Sequence, residues 1–405
     1  MKEIPQIYRL IMILWQDFNS ILYRIVMSKY LLFILVCFGV LNCQTPRTDR
    51  DYTARTCAYL WSKQSADGGW HSEVHGLLKG GKAYTPFIVW HLLAVPDEIY
   101  PKSPEKIQKA LHFIRKNIKN GVLGAEGIVL EYPNYATAYA LRVLVKYGNA
   151  AADKPLIDRM KNYLASQQFN EKRGVQPENV AYGGWGFGET NLSKGEVGHT
   201  DLSNTRRVLQ ALRAAGHTHA ETYQQAVQFL QICQKHPEDT RKQPIQPEND
   251  SVRNHYDGGF YYSPIVTPAN KGLLKDGFFR SYATAACDGI LALLAVGTKP
   301  TDEKLQAAKR WLETHPELNS PEGIPLDHPE GWNQVMILYH LAVRAEAYQA
   351  LQIKGNWKAQ MLNLLLTKQQ PDGSFSNPEG ARNKENDPLL GSTLALTALW
   401  ICMKE

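Results

Sequence analysis

The sequence predicts an all-α chain in which about six helical hairpins close into a single ring. Three observations carry this prediction: a recurring phrase, a regular alternation of two kinds of helix, and terminal units as well formed as internal ones. The phrase is an apolar residue followed by Leu, a Gln four residues later, then Asp-Gly or Gly-Gly-Trp before a helix rich in Ala and Leu.

Its first copy is Tyr59-Leu60 with Gln64 and Asp67-Gly68-Gly69-Trp70. Next come Tyr163-Leu164 with Gln168 and, after an insertion, Gly183-Gly184-Trp185. Phe229-Leu230 with Gln234 reaches Asp257-Gly258-Gly259-Phe260 past a long polar insert, and Leu364-Leu365 with Gln369 runs directly into Asp372-Gly373-Ser374-Phe375. Degenerate copies at Phe113-Ile114 and Trp311-Leu312 keep the apolar pair without the Gln. This gives units of roughly 40 to 80 residues, each long enough for two helices and a loop.

After each phrase a short hydroxyl or amide residue precedes an apolar run: Tyr84-Thr85-Pro86, Thr137-Ala138, Asn204-Thr205, Thr284-Ala285 and Ser392-Thr393. These residue types favour helix starts, so they are expected to cap the helices that follow. Those helices, such as 282–296 and 392–402, are apolar nearly all round and should be buried among other helices. Segments 105–118 and 303–314 instead set Lys, Gln and Glu opposite Ile, Leu, Phe and Trp, as outer helices do. An open stack would need polar caps on its first and last repeats. Here the end units carry good copies of the phrase, which favours closure. Within the phrase, Gly suits a tight turn, the Gln amide can satisfy loop backbone groups, and the aromatic can cover the junction between hairpins.

The phrase resembles the QW repeat of the terpenoid cyclase and protein prenyltransferase superfamily, and it covers about residues 50 to 405. The stretch Asp276, Ser281-Tyr282-Ala283-Thr284, Asp288-Gly289 is similar to bacterial prenyltransferase/squalene oxidase-repeat proteins. The resemblance implies a single (α/α)6 toroid. It also implies a central pocket for an apolar, isoprenoid-like ligand.

A chain of 405 residues with 44% hydrophobic content can bury a large core, and one ring would use it without a second domain. The formal charge is +6, about +4 once the first 43 residues are set aside. No basic run interleaved with aromatics lies on one face, so nucleic acid is not an expected partner. Met27-Ser28-Lys29 followed by the apolar run 30–41 reads as an export signal too short to span a bilayer comfortably. It ends in Val40-Leu41-Asn42-Cys43, which resembles a bacterial lipoprotein signal with Asn42 where Gly or Ala is usual. The expected organisation is an upstream extension or misassigned start at 1–26, the signal at 27–43, a linker at 44–50 and the ring at 51–405. Cys43 would be lipidated and the protein held in the bacterial cell envelope. An uncleaved anchor is the alternative.

Cys57, Cys233, Cys287 and Cys402 lack close spacing, which argues against a disulfide framework or a zinc pattern. The chain has no Asp-x-Asp-Asp, the acid motif that the resemblance to squalene cyclases would imply, and no Asp-Asp-x-x-Asp for magnesium. Prenyltransferase β subunits hold zinc with Asp, Cys and His. Here Cys287-Asp288 stands in the opposite order, with His340 on the next unit's helix, and a structural Cys is the favoured reading. No metal or cofactor is assigned.

The candidate catalytic residues are Asp288, Asp276, Asp201 and His199, and the candidate ligand-binding residues are Tyr282, Trp332, Tyr339 and Asn204. Asn333, Cys287 and Asp387 are further positions at the loop end of the ring. His199 and Asp201 read either as a catalytic pair or, more commonly for this pattern, as a loop His beside an N-capping Asp. A carboxylate within the apolar run 285–291, Asp288, is either paired or faces a cavity, since an unpaired buried charge is costly. Three functions follow: a toroid that binds or modifies an isoprenoid-like ligand, a non-catalytic surface scaffold, and a polysaccharide-active toroid with paired carboxylates.

Overall fold

The computed structural model describes residues 48–126, 130–247 and 250–404. The signal segment and Cys43 lie outside the described residues. The described chain is almost wholly helical: α1 (Asp49–Ser62), α2 (Tyr84–Leu92), α3 (Pro104–Asn117), α4 (Pro133–Tyr147), α5 (Ala150–Ser166), α6 (Leu202–Ala214) and α7 (Ala220–Cys233). They are followed by α8 (Ala283–Val296), α9 (Glu303–Thr314), the single turn α10 (Trp332–Val335), α11 (Ile337–Ala350), α12 (Trp357–Leu366) and α13 (Pro388–Met403). α1 begins two residues inside the expected linker.

Six helices form the inner wall. α2 packs on α4, α4 on α6, α6 on α8, α8 on α11, α11 on α13, and α13 returns to α2, so the ring is closed. The other long helices stand behind it, with α1 against α13, α3 against α2, α5 against α4, α7 and α9 against α8, and α12 against α13. This is an (α/α)6 toroid. Its two helix types match their patterning: α8 buries every residue except Leu294 and Val296, whereas α3 buries only Ala110, Leu111, Phe113 and Ile114.

The repeated phrase is a clamp between neighbouring hairpins. Gln64 Nε2 donates to Gly68 O in its own loop and to Lys106 O of α3, Gln168 Nε2 to Gly183 O and Thr222 O of α7, and Gln234 Nε2 to Gly258 O and Lys304 O of α9. Gln369 makes the same contact across the ends of the chain, donating to Tyr52 O of α1 at 2.9 Å. The glycine is fixed twice over. Gly183 has φ +86, and a Cβ there would lie 1.8 Å from Gln225 O on α7. The tryptophans sit inside each unit: Trp70 Nε1 donates to Leu60 O and Trp185 Nε1 to Leu164 O.

One expectation is corrected. The hydroxyls placed as helix caps lie within the first turns and accept loop N–H groups instead: Thr85 from Trp70, Thr137 from Leu123, Thr205 from Trp185 and Ser392 from Phe375. A side chain in the first turn points back toward the helix start, where the loop backbone passes. Among the inner helices, the N-cap residues whose side chains cap are Asp201 for α6 and Asp387 for α13.

No helix among the described residues is long and apolar enough to cross a membrane.

Candidate functional site

The first turns of the inner helices meet at one end of the ring and enclose a cavity of about 250 Å³. Its wall is mainly aromatic, with Tyr84 and Phe87 from α2, Tyr135 from α4, Tyr339 from α11, and Phe187 and Tyr262 from loops. Leu390 and Leu394 of α13 complete the apolar surface, while Ser203 and Asn204 of α6 and Asn383 and Lys384 from the loop before α13 are its polar part. Asn204 Nδ2 donates to Asp201 Oδ2 at 2.7 Å, which leaves Asn204 Oδ1 buried with no partner.

Carboxylates gather behind this wall. Asp201 is wholly buried and accepts from Ser203 Oγ and from Asn204 N, so it caps α6. Burial pushes its carboxyl above the usual range, against the pull of His199 and the α6 donors. His199 lies 3.8 Å from it, stacked on Phe187 with ring centroids 4.0 Å apart, and burial keeps the imidazole below its ordinary pKa. Asp387 accepts from Ser72 Oγ and from Tyr84 Oη at 3.1 Å. Glu385 accepts from Leu338 N and Tyr339 N at the start of α11, and burial raises its carboxyl to about 7. Glu131 does the same for Lys82 N and Ala83 N before α2. Each acid occupies the positive end of a helix dipole.

One layer deeper the ring is crossed by charge. Arg206 of α6 donates to Asp288 Oδ1 of α8 at 2.7 Å and to Glu346 of α11, and Tyr339 Oη donates to Asp288 Oδ2 at 2.8 Å. Burial pushes the Glu346 carboxyl up, but Arg206 and Arg207 outweigh it and hold the group at about 2. Beyond this layer, the last turns of the inner helices enclose a second cavity of about 310 Å³, lined by Trp90, His91, Arg142, Glu346, Thr397 and Trp400 among others.

The structure therefore brings Tyr339 and Asn204 to the cavity wall, with Asp201, His199 and Asp387 directly behind it. Asp288 lies deeper and is paired, the structural alternative of the sequence reading. Tyr282 is buried where α8 begins, with its N–H bonded to Phe260 O, and lines neither cavity. Trp332 stands at the rim, its Nε1 bonded to Glu330 and Lys271 Nζ 4.8 Å from its ring. Asp276 is not at the ring centre. It is exposed in the turn of a small hairpin, β1 (Leu274–Lys275) and β2 (Phe278–Phe279), where Asp276 and Gly277 both take positive φ as a two-residue turn of this kind requires. Cys287 is buried with its thiol pushed up to about 12, Asn333 is buried, and His340 bonds Glu317 O. No group of His, Cys, Asp and Glu among the described residues is placed to hold a metal ion.

Sequence reasoning missed Arg206, Arg207 and Glu346 at the centre, Tyr84, Phe187, Tyr262 and Lys384 at the cavity, and Lys271 against Tyr262. The signal for the first three was charge inside helices otherwise apolar. Lys271 Nζ, lowered by burial to about 8, lies 4.3 Å from the Tyr262 ring.

No protein-family model matches the chain. A segment of 121 residues is 30% identical to lanosterol synthase erg7A of Aspergillus fumigatus, covering 26% of this chain and 16% of that protein. A segment of 115 residues is 29% identical to the lanosterol synthase of Candida albicans, with 25% and 16% covered. The chain thus spans about a sixth of the length of the curated relatives it matches. Among solved structures, type II terpene cyclase MstE from Scytonema in complex with geranylgeranyl dihydroxybenzoate superposes with TM-score 0.50 at 14% identity, covering 87% of this chain and 96% of that one. MstE in complex with merosterolic acid A gives TM-score 0.51 at 15% identity, covering 87% and 95%. The chain has the α/α-toroid fold of the terpenoid cyclase-like superfamily.

Proposed function

We propose that this protein binds an apolar, isoprenoid-like chain in the cavity at the N-terminal ends of its inner helices, and that it does so as an exported, lipid-anchored protein of the bacterial cell envelope. The observation that carries the binding reading is the aromatic cavity at the mouth of the ring, which holds one buried, unpartnered polar atom, Asn204 Oδ1. Small-molecule sites have this make-up, a mainly apolar surface with few convergent polar groups. At about 250 Å³ the cavity is below the usual range of roughly 300–1,000 Å³, which suits a short prenyl chain or one end of a longer one. The prenylated ligand of the MstE complex supports the same class.

Binding is favoured over cyclisation. Asp201 and Glu385, carboxyls beside the wall whose pKa burial raises, are both engaged by the N–H groups of helix starts, and the Asp-x-Asp-Asp acid is absent. Asp288 and Glu346 are both engaged by Arg206, so neither is a free partner for the paired-carboxylate chemistry of a glycosidase. The side chains that fill the ring between its two cavities favour one second reading, a scaffold that holds no ligand.

Native mass spectrometry of the protein purified from its host envelope, with extraction of bound lipid, separates the two. An isoprenoid that co-purifies with the native ring and is lost in Leu394→Trp, which fills the cavity from α13, is the expected result. An empty ring that also ignores offered prenyl lipids would leave the scaffold. The anchor is tested on the same sample: a diacylglyceryl mass on Cys43, absent in Cys43→Ser, is expected, and an unmodified Cys43 would dismiss it.

A further inference from the structure

Arg207 is the most anomalous residue in the ring. It is 3% exposed, yet its guanidinium makes no hydrogen bond to any described residue. Of the three buried arginines among the described residues, Arg206 bonds Asp288 and Glu346, and Arg344 bonds His315 O and Tyr348 Oη. Arg207 has only Glu346 at 3.6 Å, beyond hydrogen-bond length, and the ring of Tyr139 with its centroid 5.3 Å from Cζ. A buried charge without hydrogen bonds is among the costlier features a fold can retain.

Two further observations point to what completes it. The hydroxyl of Tyr139, the residue on which Arg207 lies, is also buried and makes no hydrogen bond of standard geometry, with the hydroxyl of Tyr135 as its polar neighbour. And the central layer is unbalanced: three guanidiniums, Arg142, Arg206 and Arg207, face two carboxylates, Asp288 and Glu346. Burial lowers Arg142 only to about 10, so it is still a cation at neutral pH, and His91, lowered by burial to about 3, is neutral and adds nothing. One positive charge is left over.

Both groups lie directly beneath the aromatic cavity. Arg207 follows Asn204 on α6 by three residues, about 4.5 Å along the axis, and Tyr139 follows Tyr135 on α4 by four, so each stacks below a residue of the cavity wall. We infer that the ligand of this cavity is an acidic prenyl lipid, whose single carboxylate accepts hydrogen bonds from the Arg207 guanidinium and the Tyr139 hydroxyl while its apolar chain occupies the aromatic cavity above. A carboxylate has the two acceptor oxygens these donors need, and its one negative charge matches the excess. The inference rests on the binding reading above and adds the chemistry of the head group.

The test compares farnesoic acid with farnesol on the full-length protein at pH 7 by titration calorimetry, in the native chain and in Arg207→Met. In the native chain the acid is expected to bind at least about tenfold more tightly than the alcohol. In Arg207→Met that preference falls below about twofold while the alcohol's affinity is unchanged. Thermal melting accompanies the titration: because Glu346 keeps its hydrogen bond from Arg206, Arg207→Met is expected to melt close to the native protein, whereas a cation that serves the fold would lower the melting temperature. Equal binding of acid and alcohol by the native chain overturns the head-group assignment and leaves the apolar site standing. Failure of both to bind overturns the site itself.

Discussion

Replacing Gln369 by Ala tests whether the ring is held shut by its own repeat. The Gln369 amide donates to Tyr52 O and Thr56 Oγ1 of α1, both at 2.9 Å, and to Gly373 O at 3.3 Å, and its oxygen accepts from Arg55 Nη1 at 3.0 Å. Truncation therefore cuts three contacts to the opposite end of the chain and one within its own loop. Each such bond is worth a net 0.5–1.5 kcal/mol or so, and all four are partly exposed, so water replaces some of them; a loss of about 2 kcal/mol is expected. That loss should appear at a distance of more than 300 residues in sequence. Hydrogen exchange followed by mass spectrometry is expected to show amides of α1 exchanging roughly thirtyfold faster, as the loss implies if α1 opens locally. Gln64→Ala serves as the control, because its bonds stay within its own loop and the neighbouring α3, in the first part of the chain. Faster exchange confined to residues 364–376, with α1 unchanged, would refute the reasoning and make the seam a mere contact.

Gly183→Ala should cost more than about 3 kcal/mol in urea denaturation, since its Cβ would lie 1.8 Å from Gln225 O at φ +86, whereas Gly216→Ala, at φ +65 with nothing within 4 Å, should cost about 1 kcal/mol. Equal losses would remove the close-packing argument. Glu385 has a folded pKa of about 7, above its ordinary value of 4.5, so the folded state keeps a proton that the unfolded chain releases; its stabilisation is complete below about pH 4.5 and is lost as pH rises through 7. The shift is worth about 3 kcal/mol, and urea midpoints at pH 5 and pH 8 should converge in Glu385→Gln, where an unchanged difference would discard the assignment. Burial pushes the thiols of Cys57, Cys287 and Cys402 to about 12 and raises that of Cys233 as well. In protein beginning at residue 44, a thiol reagent at pH 8 should therefore label none of these four until the chain is unfolded, and rapid native labelling of any one would show its helix interface to be open.

The ring was legible because its signals repeat. The Gln, the Gly and the apolar pair recur in register, and each copy makes the same contacts, so one physical solution is written several times in the chain. The hydroxyls were legible as important and misread in role, because a Thr before an apolar run has the same appearance whether it caps its own helix or accepts a loop N–H in the first turn. Asp276 was misplaced for a related reason. Asp-Gly belongs to the repeated phrase at Asp67-Gly68 and Asp372-Gly373, but at Asp276-Gly277 the same pair makes the turn of a short hairpin. Local sequence fixes the turn, and the ring decides whether that turn lies at its centre or at its edge.

The site was harder to read because charges in this ring are assigned by helix ends, which no single segment reveals. Glu131, Asp201, Glu385 and Asp387 come from loops or helix starts distributed along the chain, yet all four bond N–H groups where inner helices begin. At the other end, Lys146 of α4 and Lys404 after α13 stand among helix carboxyl ends in the second cavity, where cations are favoured. Once these ends are satisfied, the dipoles account for the acids at one mouth and the bases at the other. They leave Arg142, Arg206, Arg207, Asp288 and Glu346 in the middle layer, where no helix end is present to explain a charge. Three of those five are explained by one another through Arg206, and Arg142 lies over the Trp90 ring with Cζ 4.0 Å from its centroid. Arg207, with Glu346 at 3.6 Å and no hydrogen bond, is the remainder of that accounting, and it follows Asn204 of the aromatic cavity by three residues on α6. A residue left over after fold, caps and dipoles have been satisfied is retained for something the chain itself does not contain, which is why the ligand's charge can be argued from this protein when its acid motif is missing.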